Sequence, residues 1–313
     1  MFVLLLALAF PASGVAAERY AVLISGVSGE EKYAEQQQKW RAEIAAFLTT
    51  SFAFPDANVV SLDERSEGSS RATAVNVRRL FGDLRRRLTR DDLLMVVLIG
   101  HGTFDGADAK FNLVGPDLSA PDWKALLDPL PGRLVIVNTT ASSFPFVEEL
   151  SHAGRVVITA TDSAAQRFAT VFPEYFTRAL ADRSSDFDKN GRVSVWEAFS
   201  AASAGVKRHY EQRGQLATER PLLDDNGDRR GREADAPGED GAVARTIYLD
   251  AEPGLATGDA ELVELERRRL SLEKQLEELK ARRATMSEAE YQTALEKILV
   301  ELARVAQEIR KRS

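Results

Sequence analysis

The chain contains no cysteine in 313 residues, and only three histidines. The first absence removes every thiol mechanism and every disulfide, so the fold has to be held by its core. Metal sites are restricted to those built from histidine and oxygen ligands. Concentrated positive charge is also missing. The net charge is −7, whereas a phosphate backbone is bound by a basic surface, so nucleic acid is not an expected partner. The basic runs in 78–90 and in the C-terminal tail are interleaved with acids and read as solvated helix faces.

Long apolar runs are confined to the start. "MFVLLLALAFPASGVAA" (1–17) is apolar, ends in small residues and is short for a bilayer span, so it reads as a secretory signal peptide, although a basic n-region is missing. Retention as an anchor is the other reading. No later stretch is apolar enough to cross a membrane. The expected location is outside the cytoplasm, periplasmic or extracellular.

What is present is an alternation of apolar β-branched runs with helical patterns. Strands are predicted at 20–26, 57–63, 92–102, 133–139 and 155–161, and a sixth at 244–250. The most apolar, 92–102, belongs at the centre. Helical spacing fills the intervals, which implies a mostly parallel sheet covered on both faces. Residues 224–242, rich in Gly, Asp, Glu and Arg, are predicted to be a mobile loop, and 251–258 a linker. From 259 to 313 leucines recur at three-four spacing, broken by a capping box at Ser287 and Glu290. This predicts an antiparallel helical hairpin, a coiled coil that either packs on the body or serves as an oligomerisation arm.

Two constellations carry chemistry. The first joins strand ends. His101 and Gly102 close the central strand, as a general base beside an oxyanion donor would. The next strand, "RLVIVNTTASSF" (133–144), ends in small hydroxyl residues, and neighbouring parallel strands bring such ends into one crevice. His152 and His209 have no evident partners and read as surface residues.

The second constellation is "DFDKNGRVSVWE" (186–197), which matches a twelve-residue EF-hand calcium loop. Asp186, Asp188 and Asn190 fall at positions 1, 3 and 5. Gly191 permits the turn, Arg192 offers its carbonyl, Ser194 acts through water, and Glu197 closes the shell with two oxygens. Helical patterns flank it. A polar turn between helices is the plainer reading. With no second such loop, the expected calcium affinity is weak, roughly 10⁻⁴–10⁻³ M, and the ion structural. Asp224, Asn226 and Asp228 form a further acidic turn, in which Arg229 replaces the required glycine.

The segment 72–102, ending in His101-Gly102, together with "RLVIVNTTASS", resembles caspase-like peptidases, most closely the legumain branch, over roughly residues 18–230. The resemblance implies a caspase-like α/β/α sandwich spanning 18–250, with His101 and a cysteine as the catalytic dyad and Gly102 lending its amide. Thr140 stands where that cysteine belongs. An alcohol is far less acidic than a thiol, and an internal threonine lacks the N-terminal amine on which threonine nucleophiles rely. Three functions are therefore expected: a catalytically silent peptidase homologue that binds a polypeptide or partner protein; a hydrolase using a hydroxyl at Thr140, Ser142 or Ser143 with His101 as base; or a structural homo-oligomer formed through 259–313.

Overall fold

The computed structural model describes residues 17–250, 260–283 and 286–312. The signal segment, apart from Ala17, and the 251–258 linker lie outside them. The first half of the chain builds β1 (Arg19–Ser25), α1 (Glu31–Thr50), β2 (Val59–Leu62), α2 (Ala74–Arg87) and β3 (Leu93–Ile99). After β3 come three short strands, β4 (Gly102–Phe104), β5 (Ala109–Phe111) and β6 (Leu118–Ser119). They are followed by α3 (Ala120–Leu127), β7 (Arg133–Asn138), α4 (Pro145–Leu150) and β8 (Val156–Thr159). Then come α5 (Phe172–Ala181), α6 (Val195–Gln212), β9 (Leu222–Asp224), α7 (Ala260–Ala281) and α8 (Glu288–Arg312).

Six strands form one sheet in the order β2-β1-β3-β7-β8-β9. All neighbours are parallel except β8 and β9. Side chains alternate across β1. Ala21 and Leu23 join the core under α1, α5 and α6, with Ile44, Phe176 and Phe199. Tyr20, Val22 and Ile24 join the core under α2, α3 and α4, with Phe81, Trp123 and Phe146. With both faces covered, β3 has no solvent side and every one of its residues is buried, which is why its sequence is continuously apolar rather than alternating. The molecule is thus a mixed α/β protein with a mostly parallel sheet flanked by helices.

The sixth strand differs from the sequence expectation. It is β9, which pairs antiparallel with β8 through Leu222↔Thr159 and Leu223↔Ile158. Residues 244–250 do not enter the sheet; Ala244–Thr246 form a 3-10 turn, and 247–249 run as an extended edge along the 186–197 loop, where the Leu249 amide donates to Val193 O and the Val195 amide to Ile247 O. The polar segment 224–242 is folded rather than a mobile loop. Asp225, fully buried, accepts from the amides of Gly241 and Ala244, and its own amide donates to Asp240. Those acids substitute for an apolar core by satisfying backbone donors. Among them, burial pushes Asp240 up to about 7 and also raises Asp225.

A further buried acid anchors α5. Glu219 accepts from the amides of Val171 and Phe172 and from the Tyr210 hydroxyl. Burial pushes it up to about 7 from 4.5. A carboxyl with a raised folded pKa contributes stability that is complete below its unfolded pKa and lost as pH rises through the folded one. The protein should therefore lose stability between about pH 4.5 and 7, by on the order of 1–3 kcal/mol from this group. Glu219→Gln should flatten that window in urea titrations at pH 5 and pH 8. An equally steep dependence in the variant would refute the assignment.

The C-terminal helices double back on each other. Arg268 of α7 meets Glu301 of α8, and at the other end Arg283 lies over the Tyr291 ring. Leu272, Leu279, Tyr291 and Val305 are buried, and Ser287 and Glu290 make the reciprocal capping bonds. Among the described residues no helix is long and apolar enough to cross a membrane.

Candidate functional site

The chain reverses direction across the sheet between β1 and β3, and the carboxyl ends of β1, β3 and β7 form the edge where open α/β sheets bind ligands. The pairing Leu98↔Asn138 places the two strand ends side by side. Gly102 and Thr140 do come together: a Cβ added at Gly102 would lie 2.5 Å from Thr140 Oγ1 and closer still to Ala141 O.

The side chains at this edge are not arranged as a dyad. His101 is half-buried, its Nε2 lies 2.9 Å from Ser28 O, and Tyr33 packs edge-on to the ring at 5.0 Å. Thr140 is 1% exposed, and its hydroxyl donates to Asn138 Oδ1 at 2.8 Å. Among the described residues no hydrogen bond links the imidazole to a hydroxyl of 139–143. Each of those hydroxyls has a structural task. Thr139 donates to Leu98 O and Ser142 to Gln166 O, while Ser143 Oγ accepts from the amides of Ala160 and Thr161. The loop after β8 closes over the run, with Thr170 Oγ1 on Thr139 O. Ser142 adopts a φ of 51°, an uncommon conformation held by its two bonds to Gln166 O. The run of hydroxyls is internal mortar joining β3, β7 and the loop after β8.

The 186–197 segment is a tight loop after α5 that runs into the first turn of α6. One carboxylate oxygen each from Asp186, Asp188 and Glu197 lies within 4.8 Å of the others. Without a counter-ion such crowding is unfavourable to charge, and burial followed by the neighbouring Glu197 and Asp186 carboxylates pushes Asp188 up to about 6. A hard cation with oxygen ligands suits this donor set. Gly191 takes the left-handed turn at φ 84°. Asp186 accepts from the amides of Asn190 and Gly191, and Asn190 Oδ1 accepts from Arg192 N. Ser194 is the N-cap of α6, and its hydroxyl and Glu197 form a capping box. The same Glu197 carboxylate accepts from the Phe187 amide at 2.9 Å, so this one side chain ties the first part of the loop to the helix that follows.

An extended edge, rather than a second loop, lies against the loop. The 247–249 edge bonds to Val193 and Val195 on either side of Ser194, Asp250 accepts from the Val193 amide, and the Arg192 guanidinium lies 4.0 Å over the Tyr248 ring. The acidic turn at 224–228 is an Asx turn: Asp224 accepts from the amides of Gly227 and Arg229, and Asn226 from that of Asp228. His152 is exposed, but His209 is half-buried against Tyr175, which lies 3.1 Å from its Nδ1, and burial lowers its pKa.

Sequence reasoning did not find the contacts that aim His101. Ser28 is 6% exposed and bonds Glu64 through both its amide and its hydroxyl. This fixes the β1–α1 turn whose carbonyl engages the imidazole. Nothing in the local pattern of "SGVSGEE" signals that role.

No family model and no curated protein matches the chain. Among solved structures, protein GSU0716 from Geobacter sulfurreducens superposes with a TM-score of 0.43 at 14% identity, covering 66% of this chain and 92% of that one.

Proposed function

We propose that this is an exported, catalytically silent homologue of the caspase-like peptidases that binds a polypeptide, with calcium bracing the helices beside its strand-edge site. The observation that carries the reading is the state of Thr140: at the nucleophile's place, yet buried, bonded to Asn138 and separated from an imidazole committed to Ser28. An attacking oxygen must reach both a base and the substrate carbonyl, and this hydroxyl reaches neither. The His-Gly pair that follows β3, with Gly102 opening β4, and the adjacent end of β7 support the caspase-like interpretation of the sheet. Calcium is supported by the convergent carboxylates and the raised Asp188. The hairpin of α7 and α8, which leaves Leu299 and Val300 exposed, is a coiled-coil arm suited to holding copies together.

The test is a fluorogenic peptide panel with millimolar calcium, on the native chain and on Thr140→Cys. No turnover is expected from either. The introduced thiol should resist iodoacetamide until denaturant is added, because its site is closed. Turnover by the native chain that vanishes in His101→Ala would overturn the proposal.

A further inference from the structure

Beside the strand-edge site runs a separate groove. It is a cavity of about 370 Å³ between the β4–β5 hairpin, the start of α4 and the loop after β8. Phe104 and Phe144 give it half-buried aromatic walls, and Asp108, Glu148, Glu149 and Asp162 stand exposed around it. No lysine or arginine lines it. Asp162 has Arg220 at 3.6 Å, and Lys110 is held by Asp105 at 2.6 Å. Among the described residues, Asp108, Glu148 and Glu149 have no basic side chain within ion-pair distance.

A trough with two aromatic walls and an acidic rim, three of whose four carboxylates have no ion-pair partner among the described residues, is complementary to a chain that is cationic and amphipathic. Lysine and arginine lay their methylene stems along apolar surface while the charged head meets a carboxylate or an aromatic face. We infer that this groove seats a basic polypeptide segment, its apolar residues and stems between Phe104 and Phe144 and its cations against Glu148, Glu149 and Asp108. The inference rests on the polypeptide-binding reading above and specifies the partner's chemistry. The groove adjoins the proposed site in the chain itself, since Phe104 follows Gly102 by two residues and Phe144 follows Thr140 by four.

The experiment uses the full chain and a fluorescent ten-residue peptide of alternating arginine and leucine, read by anisotropy at about 150 mM salt, where contacts beyond roughly 8 Å are screened. A glutamate-leucine peptide serves as the negative probe. The groove variant Asp108→Asn/Glu148→Gln/Glu149→Gln is compared with Asp56→Asn/Glu67→Gln/Glu211→Gln, which removes the same charge elsewhere. The basic peptide should bind the native chain and the control alike and lose about tenfold in affinity on the groove variant, corresponding to about 1.4 kcal/mol. Equal weakening in both variants would reduce the effect to net charge and overturn the inference, as would no binding of the basic peptide by the native chain. Binding that persists in the groove variant would remove the groove while leaving polypeptide binding standing. Sedimentation of the three proteins covers the remaining occupant: self-association abolished only in the groove variant would assign the groove to a second copy instead. Mass spectrometry of the recovered peptide separates these outcomes from failure of the silent-peptidase reading, which cleavage alone would signal.

Discussion

Adding 10 mM calcium is expected to raise the melting temperature of this protein by roughly 3–10 °C, and Glu197→Ala to abolish the increment. The range follows from mass action. A dissociation constant of about 10⁻⁴–10⁻³ M, usual for isolated extracellular loops, gives about 1.4–2.7 kcal/mol at that concentration, and a chain of this size gains about 2–4 °C per kcal/mol. The 247–249 edge favours the tighter end of the range. It pairs with the loop as a partner loop would, so less ordering remains to be done on binding. Glu197→Ala also removes the reciprocal cap of α6 and should cost about 1 kcal/mol without any metal. The diagnostic quantity is therefore the calcium-dependent increment, not the absolute melting point. Magnesium should give a smaller increment, because it demands near-octahedral geometry and dehydrates reluctantly. A melting curve indifferent to calcium would leave 186–197 as a capped turn. An increment that survives Glu197→Ala would place the ion elsewhere.

The parts of the fold that were legible in the sequence are those in which one face decides the residue. β1, β3 and β7 are apolar because helices cover both sides of the sheet, and the seam of α7 and α8 is apolar because each helix buries one stripe against the other. Segments whose partner is polar or distant were not legible. "ARTIYLD" has the composition of a strand and is indeed extended at 247–249, but its partner is the 186–197 loop rather than the sheet; local pattern fixes extension and not pairing. β9 supplies only three residues, one of them Asp224, too short to show a period. The 224–242 segment has the composition of a disordered stretch, yet Asp224, Asp225 and Asp240 turn inward to bond backbone amides. At the candidate site the adjacency of Gly102 and Thr140 followed from strand order. The aim of His101 did not, because it is set by the Ser28 carbonyl, 73 positions away in the chain.

That adjacency makes Gly102 a position where even a methyl group is costly. Gly102→Ala should destabilise the protein by about 3 kcal/mol or more, through overpacking rather than backbone strain, and should reduce soluble yield accordingly. The new methyl would meet Thr140 Oγ1 at 2.5 Å and Ala141 O closer still. Neither can retreat easily. Thr140 is tied to Asn138, and Ser142, one residue beyond Ala141, is bonded to Gln166 O through both amide and hydroxyl. Gly82→Ala provides the contrast. That glycine lies within α2 with nothing within 4 Å of an added Cβ, so its replacement should stabilise by about 0.5–1 kcal/mol. Thr140→Ala in the Gly102→Ala background should recover only part of the loss, because the Ala141 carbonyl remains. The pair should be non-additive, as contacting residues are. Urea unfolding of Gly102→Ala, Thr140→Ala, their double variant and Gly82→Ala would measure both effects. If Gly102→Ala unfolded at the same urea concentration as the native chain, the edge would have room for a larger group. The claim that Thr140 is sealed from any substrate would then fail, and a hydroxyl mechanism would have to be reconsidered. If the methyl is as costly as the geometry requires, exposing a nucleophile at position 140 demands separating β4 from the turn after β7, which restoring the sulfur alone does not do.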